Sequence, residues 1–567
     1  MTHDELTSLI AEGESLTLEF KSDAPVGEPL ADADLVEAVV CLANTHGGRV
    51  LLGVEDDGAI TGLHPKHQQS EPRQLEALIA NRTIPGVRIA AEFVATPSGT
   101  VAVLDVERGD GVVQTSDGRA LHRFIAGRGE PECRPMRPDE VASRIGDLGR
   151  YDYSAQVLAN ATWDDVDPVE LERLRNHVRR DPAADKALLD LSKEEFAAAL
   201  GMVEVREGRR VPTVAGLLLA GQEEAIRRFL PTHEAAFQVL DEAGKVEYNQ
   251  FFRQPLVALF ERFEQLLSAR NREEEIDLGV QRLAIPRFSM DAFREAIANA
   301  LVHRDYTVLH GLYVRIDPSE GGLTISSPGG FVEGVSLDNI LVTAPRPRNR
   351  TLADAFKRLG LVERTGRGVE RIYRSVLATG RPAPSYAASD HATVRVLLPG
   401  GDADTDFVRL VADVHERLQQ APDWRLLLVL RTAADEGELA VTEVAKLLQA
   451  DPSRARSVLE SAVEKGLLEA KGPKRDRTYH LSAGAYARLG RPASYVHRRG
   501  FTREQDERRV VQYVRTYGEV TRAQVLELLP HLRPSQATYL LRVMTEKGLL
   551  TPVGERGGRS YALSGDP

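Results

Sequence analysis

Around residue 35 the chain settles into a regular apolar rhythm. In DLVEAVVCLANTHGG the apolar side chains follow the period of a helix, and Gly47-Gly48 closes it as helices commonly end. RVLLGVEDDG and AITGL then read as β-type runs, with Asp57-Gly58 as a tight turn between them. A further strand, TVAVLDVE, begins at 100. These elements predict a compact α+β unit ending near 145.

Between about 146 and 285, helical stretches surround a buried strand-like run, TVAGLLLAG, and a further run, HEAAFQVLD. ALFERFEQLLSARNREEE reads as an amphipathic helix with a polar tail. No chemistry stands out here, and a connecting α/β subdomain is expected. From 286 to about 400 the order is a helix in FREAIANALVHRDY, a strand pair in HGLYVRIDPSEGGLTISSPGGF, and a late strand in HATVRVLLP. A second α+β layer unit follows from that order.

The C-terminal third repeats itself at an offset of 82 residues. EKGLL recurs at 464–468 and 546–550, YHLS at 479–482 answers YALS at 561–564, and Pro452-Ser453 answers Pro534-Ser535. Each copy runs helix, break, Pro-Ser, helix, strand, basic turn, strand. This order predicts tandem winged helix-turn-helix domains, at 407–485 and 500–567.

Composition adds bounds. A chain of 567 residues exceeds one hydrophobic core, and 42% hydrophobic with 28% charged residues is ordinary for a globular protein. No run of eighteen apolar residues occurs and the N-terminus is acidic, so a cytoplasmic protein without a membrane span is expected. Cys41 and Cys133 are too few for a disulfide framework or a cysteine zinc site. The net charge of -12 points away from nucleic acid, but the cations are local. Ser453, Arg454 and Arg456 in one copy, and Ser535, Gln536, Thr538 and Arg542 in the other, stand where a recognition helix meets DNA. The wing turns add Lys471, Lys474, Arg475, Arg477, Arg556 and Arg559. DNA is the expected partner of this region.

In FREAIANALVHRDY, Glu295 and Asn299 lie one helical turn apart on one face. A carboxylate can activate water, and an amide oxygen is a suitable hard ligand for Mg²⁺. Two glycine loops follow, SSPGGF at 326–331 and RTGRGVER at 364–371, the second just before a helix. Together with GLVERTGRGVERI, these motifs resemble the divergent GHKL-type ATPase domain of RecG-like, helicase-related bacterial regulators, over about 285 to 400. The resemblance implies an α/β sandwich binding ATP and Mg²⁺, with Glu295 as base and Asn299 as the Mg²⁺ ligand. Gly329, Gly330, Gly366, Arg367 and Gly368 would line the nucleotide. The Asp that usually reads adenine is replaced here by Ser326-Ser327-Pro328. No Gly-Lys-Ser or Gly-Lys-Thr occurs, so a P-loop helicase motor is not expected.

GESLTLEFKSD brings Glu14, Glu19 and Lys21 together near the start, with Asp56 and Asp57 in the later turn. With the helix, the A-N-x-x-G-G run and G-V-x-D-x-G, this stretch is similar to the Schlafen/AlbA-type domain, over roughly 10 to 135. The resemblance implies nucleic-acid binding by Lys21 and its surroundings. In relatives that cleave RNA it implies catalysis by Glu14, Glu19 and either Asp56 or Asp57, with Mn²⁺ as a candidate metal. Binding is preferred to cleavage, because no second metal-holding cluster stands out.

The combined expectation is a multidomain α+β, ATP-binding, DNA-binding regulator, with RNA as an alternative partner and a homodimer or higher oligomer as an open state. The alternatives are a metal-dependent Schlafen-type nuclease, as in phage defence, and a non-catalytic scaffold.

Overall fold

The computed structural model describes residues 1–23, 25–127, 129–147, 151–277, 282–362, 367–472, 477–489, 503–529, 534–553 and 560–564. They form two compact units. One comprises 1–270, 293–368 and 385–398; the other comprises 271–292, 369–384 and 399–567.

The first unit opens on a four-stranded sheet of β1 (Leu18–Lys21), β2 (Gly48–Leu52), β3 (Ile89–Thr96) and β4 (Gly99–Val106), in the order β1-β2-β4-β3. β1 and β2 are parallel, so the chain must cross over between them, and α1 (Asp32–Asn44) is that crossover. Leu35 to Cys41 of α1 pack with Val50, Leu52, Ala102 and Leu104 in one core. Leu18, Phe20, Leu51, Val101 and Val103 form a second core with Leu6. With apolar residues on both faces, the strands lose the strict alternation of a half-exposed sheet.

A hairpin of β5 (Leu121–Ile125) and β6 (Pro131–Pro135) follows. The two cysteines pair: Cys41 of α1 and Cys133 of β6 form a disulfide with Cα atoms 6.1 Å apart. Two cysteines 92 residues apart give no spacing motif, so only the folding of the hairpin beside α1 reveals the bridge. α2 (Pro138–Asp147) ends this part.

The connecting segment holds α3 (Pro168–Arg180) and α4 (Val214–Ala220). The run TVAGLLLAG, expected as a strand, is this helix. All seven residues of α4 are buried, so no polar face betrays its period. Thr213 starts it, accepting the Gly216 N–H on its side chain.

Next comes a five-stranded sheet of β7 (Ala235–Leu240), β8 (Val246–Phe252), β9 (Leu312–Asp317), β10 (Gly322–Pro328) and β11 (Thr393–Pro399). Their order is β8-β7-β9-β10-β11, with β7 parallel to β9. Between β8 and β9 come α5 (Leu256–Ser268) and α6 (Met290–His303). The sheet therefore draws two strands from before residue 285, where a limit between subdomains is expected. Pairing of Ala235 with Leu312 is a long-range match that no local pattern signals. α7 (Arg350–Leu359) and α8 (Gly368–Leu377) follow β10.

In the second unit both C-terminal copies fold alike. The first has helices Trp424–Asp435, Val441–Leu447 and Pro452–Glu464, and strands Glu438–Ala440, Leu468–Lys471 and Thr478–Leu481. The second has helices Arg503–Tyr517, Arg522–Leu528 and Pro534–Glu546, and strands Glu519–Thr521, Leu550–Val553 and Ser560–Leu563. In each the last strand lies at the centre of a three-stranded sheet. Val510, Val514, Val525, Leu541 and Met544 form the core of the second copy. Among the described residues no helix is long and apolar enough to cross a membrane.

Candidate functional site

α6 buries Ala292, Phe293, Ala296, Ile297, Leu301 and Val302. Its other residues at helical spacing include Glu295 and Asn299, one turn apart. The first residue of α8 closes on both. A β-carbon on Gly368 would lie 2.2 Å from a Glu295 carboxylate oxygen and 3.1 Å from the Asn299 amide nitrogen. A side chain there would displace the carboxylate of Glu295, which is only 4% exposed. Gly368, whose N–H at the start of α8 lacks a helical partner, thus faces a carboxylate and an amide. Mg²⁺ on a nucleotide takes few protein ligands, so a carboxylate and an amide side by side fit it, while a helix N-terminus suits the phosphates it accompanies. Arg367 is exposed next to the pair's glycine, and Gly366 lies outside the described residues.

The first glycine loop has different neighbours. Gly329 has φ +92, and a β-carbon there would meet Asp305 at 2.8 Å and Arg348 at 3.0 Å. One on Gly330 would lie 2.4 Å from the His391 carbonyl. Close packing accounts for both glycines, and their nearest neighbours do not include Glu295 or Asn299. Ser327, one of the residues standing in place of the adenine-reading Asp, donates its hydroxyl to the Ala300 carbonyl at 2.8 Å. That serine ties β10 to α6.

The end of the α6 motif, His303-Arg304-Asp305-Tyr306, is a structural clasp. Arg304 has no exposure and donates to the carbonyls of Glu234, Thr232 and His310. Asp305 accepts from Thr307, Ser143 and Arg348. Tyr306 donates its hydroxyl to the Leu301 carbonyl, 2.9 Å away. Burial, then the Arg348 cation, lowers the His303 imidazole to about 4, so it is neutral at neutral pH. Arg348 and Asn349, missed in the sequence, hold this clasp: Arg348 donates to the His303 and Gly330 carbonyls, Asn349 to those of Val302 and Arg304. The run RPRNR before α7 is the signal that could have marked them.

The acids of the N-terminal part are engaged internally. Glu19, 7% exposed, pairs with Lys21 and with Arg123. Glu14 accepts the Phe20 N–H at 2.8 Å and lies 3.7 Å from Arg123. Arg123 is itself buried and also donates to the Ser15 and Leu18 carbonyls. Asp57 accepts the Ala59 N–H within its turn, and Asp56 is exposed beside it. The acid that reaches back to the end of β1 is Glu55, which accepts from Ser22 and Thr61. Among the described residues no group of three His, Cys, Asp or Glu side chains is placed to hold a metal. The arrangement does not fit Mn²⁺, because cations of the chain already occupy the carboxylates. Arg123 sits on the buried side of β5, as Leu121 does; a charge at an inward position of an alternating strand is the signal that reveals it.

The A-N-x-x-G-G motif closes the fold. Asn44 donates to the Val113 and Leu121 carbonyls and accepts the Val113 N–H. A β-carbon on Gly48 would strike the Thr17 backbone carbonyl.

In the C-terminal copies, Ser453, Arg454 and Arg456 are exposed on helix Pro452–Glu464. Gln536, Thr538 and Arg542 are exposed on helix Pro534–Glu546, where Arg542 lies over the Tyr539 ring and 3.6 Å from Glu546. Lys471 is exposed and Arg477 is half-buried. Ser535 lies on the same helix, and its side chain is outside the described residues, as are Lys474, Arg475, Arg556 and Arg559.

Three families match parts of the chain. Residues 14–130 match Schlafen, AlbA_2. Residues 311–398 match the family described as "Putative ATP-dependent DNA helicase recG C-terminal". Residues 146–236 match a domain of unknown function, DUF8451. Glu295 and Asn299 precede the second match, whereas both glycine loops fall inside it. A crystal structure of the DIP2311 protein from Corynebacterium diphtheriae is similar over 99% of this chain and 98% of that chain, at 23% identity and a TM-score of 0.51. That likeness concerns the fold. No curated protein matches. The chain is thus a multidomain α/β protein with a Schlafen/AlbA_2 domain at its N-terminus and an ATPase-like domain of the RecG C-terminal kind after it.

Proposed function

We propose that this protein is a nucleotide-responsive, DNA-binding regulator. The ATPase-like domain binds Mg-ATP, and tandem winged helix-turn-helix domains at the C-terminus hold DNA. The observation that carries the nucleotide half is the meeting of Glu295, Asn299 and Gly368 at the first turn of α8. There the Asn299 amide would hold Mg²⁺ and Glu295 would orient water, while the Gly368 N–H would meet a phosphate oxygen. Bound Mg²⁺ would supply charge neutralisation on the phosphates.

The DNA half is supported by two copies with the same order of helices and strands, each exposing Arg or Gln on the helix that follows its Pro-Ser. For the N-terminal domain, binding is favoured over nuclease chemistry, since Glu14 and Glu19 are neutralised by Arg123 and Lys21. Calorimetric titration with Mg-ATP tests the first half. Wild type is expected to bind with micromolar affinity, and Asn299→Ala to lose at least about tenfold, in line with one lost metal contact. Equal affinity in both proteins would rule out the proposed site.

A further inference from the structure

The N-terminal domain meets the glycine-loop region of the ATPase-like domain through a cluster of bases that neither family match assigns. Arg108, just after β4, and Arg144 of α2 share one carboxylate, that of Glu333, at 2.9 and 2.8 Å. Arg346 adds a third guanidinium, donating to the Glu333 backbone carbonyl at 3.1 Å. His46, just after α1, feels Arg108, His391 and Arg144, with Glu333 opposing them; partial burial first, then these bases, lowers its pKa. His46, Arg346 and His391 are exposed.

Two features make this more than a solvated charge run. Arg144 is 4% exposed, and its Nε, buried, has no hydrogen-bond partner among the described residues. A buried guanidinium with an unused donor is costly unless something accepts from it. Moreover, two guanidiniums converge on the Glu333 carboxylate and a third on its backbone carbonyl, so an incoming dianion or phosphodiester would gain charge-assisted bonds. Glu140, the nearby acid, is committed to Arg134 and Arg137, and pairing with them holds it at about 2 against the cost of its burial.

We propose that this seam, formed by Arg108, Arg144, Arg346, His46 and His391, binds phosphates of single-stranded nucleic acid. A cluster of exposed cations on two domains suits a phosphate backbone rather than a nucleoside. It would let a strand held on the N-terminal domain run beside the loop of Gly329 and Gly330. The inference rests on the proposed role in nucleic-acid binding and gives that role a second location.

The test uses the full chain and a fluorescein-labelled oligothymidylate, with anisotropy read across a salt series. The variant R108A/R346A/H391A is expected to bind at least about tenfold more weakly at low salt. Its salt slope should fall by about 0.7 for each lost phosphate contact. R454A/R456A, in the C-terminal copy, is measured in parallel with duplex DNA. Wild-type affinity and slope in the seam variant, with weakened duplex binding in R454A/R456A, would overturn the seam and leave the regulator reading intact. Failure of wild type to bind either nucleic acid would overturn both. Titration with inorganic phosphate and with ATP separates the other sources: if either binds the seam while oligothymidylate binding is unchanged by the substitutions, the strand assignment is wrong. Should the triple variant fail to fold, Arg346→Ala alone, which removes only a bond to a carbonyl, is held to the same outcomes on a smaller scale.

Discussion

Arg304 and His233 illustrate how far a side chain's role depends on its surroundings. Both are fully buried. Arg304 finds three carbonyl acceptors and lies over the Tyr306 ring, 5.1 Å from its centre, so a cation in the interior is tolerated. His233 hydrogen-bonds through its Nε2 to the Gln254 carbonyl at 2.9 Å. Burial, and then the Arg304 cation, pushes its pKa from 6.5 down to about 3. The unfolded chain therefore binds a proton that the folded chain refuses between those values. This contribution to stability is complete above about pH 6.5 and is lost progressively as pH falls toward 3. His233→Gln is expected to narrow the gap between the urea midpoints at pH 7.5 and pH 5. An unchanged gap would show that His233 does not supply this proton linkage.

At the scale of elements, glycines report where backbones touch. Gly216 in α4 is one such place: a β-carbon would lie 2.0 Å from the Met202 backbone carbonyl, which no side-chain motion can relieve. Gly216→Ala should destabilise the fold by about 1–3 kcal/mol, the usual cost of overpacking, and lower the denaturation midpoint. A midpoint equal to wild type would mean that α4 moves freely against that carbonyl. Gly368 differs in kind, because its neighbour is the side chain of Glu295 rather than a backbone. The helices of the C-terminal copies carry a further constraint. Asp451 accepts the N–H groups of Ser453 and Arg454, so that helix start is already capped. In the proposed DNA-binding role, contacts with phosphates there would fall to the Arg454 and Arg456 side chains, and not to the helix terminus.

For the whole molecule, the proposed regulator makes a prediction that its parts do not. A nucleotide alters DNA affinity only if it binds two states of the protein differently. Wild type is expected to change its affinity for duplex DNA at least about fivefold on saturation with Mg-ATP, the lower range of allosteric coupling. Asn299→Ala should show no such change. Equal DNA affinity with and without Mg-ATP would leave the scaffold alternative in front. The net charge of -12 makes local basic surfaces matter more, since the average field repels a polyanion.

Much of this was legible in the chain itself. Strand and helix periods located β2, β4, α1, α6 and β9 to β11. The 82-residue repeat foretold two copies with equal elements, because each copy closes its own core over short separations. The spacing of Glu295 and Asn299 put them on one helical turn, which is a property of the helix alone. What needed the tertiary structure was everything set by distant partners. The pairing of β7 with β9, the bridge from Cys41 to Cys133, and the capture of Glu14 and Glu19 by Arg123 join residues too far apart for any local pattern. Two glycine loops that look alike in sequence also separated: Gly368 faces Glu295 and Asn299, whereas Gly329 and Gly330 answer to packing. A glycine records only that no side chain fits; the folded chain decides what occupies that space.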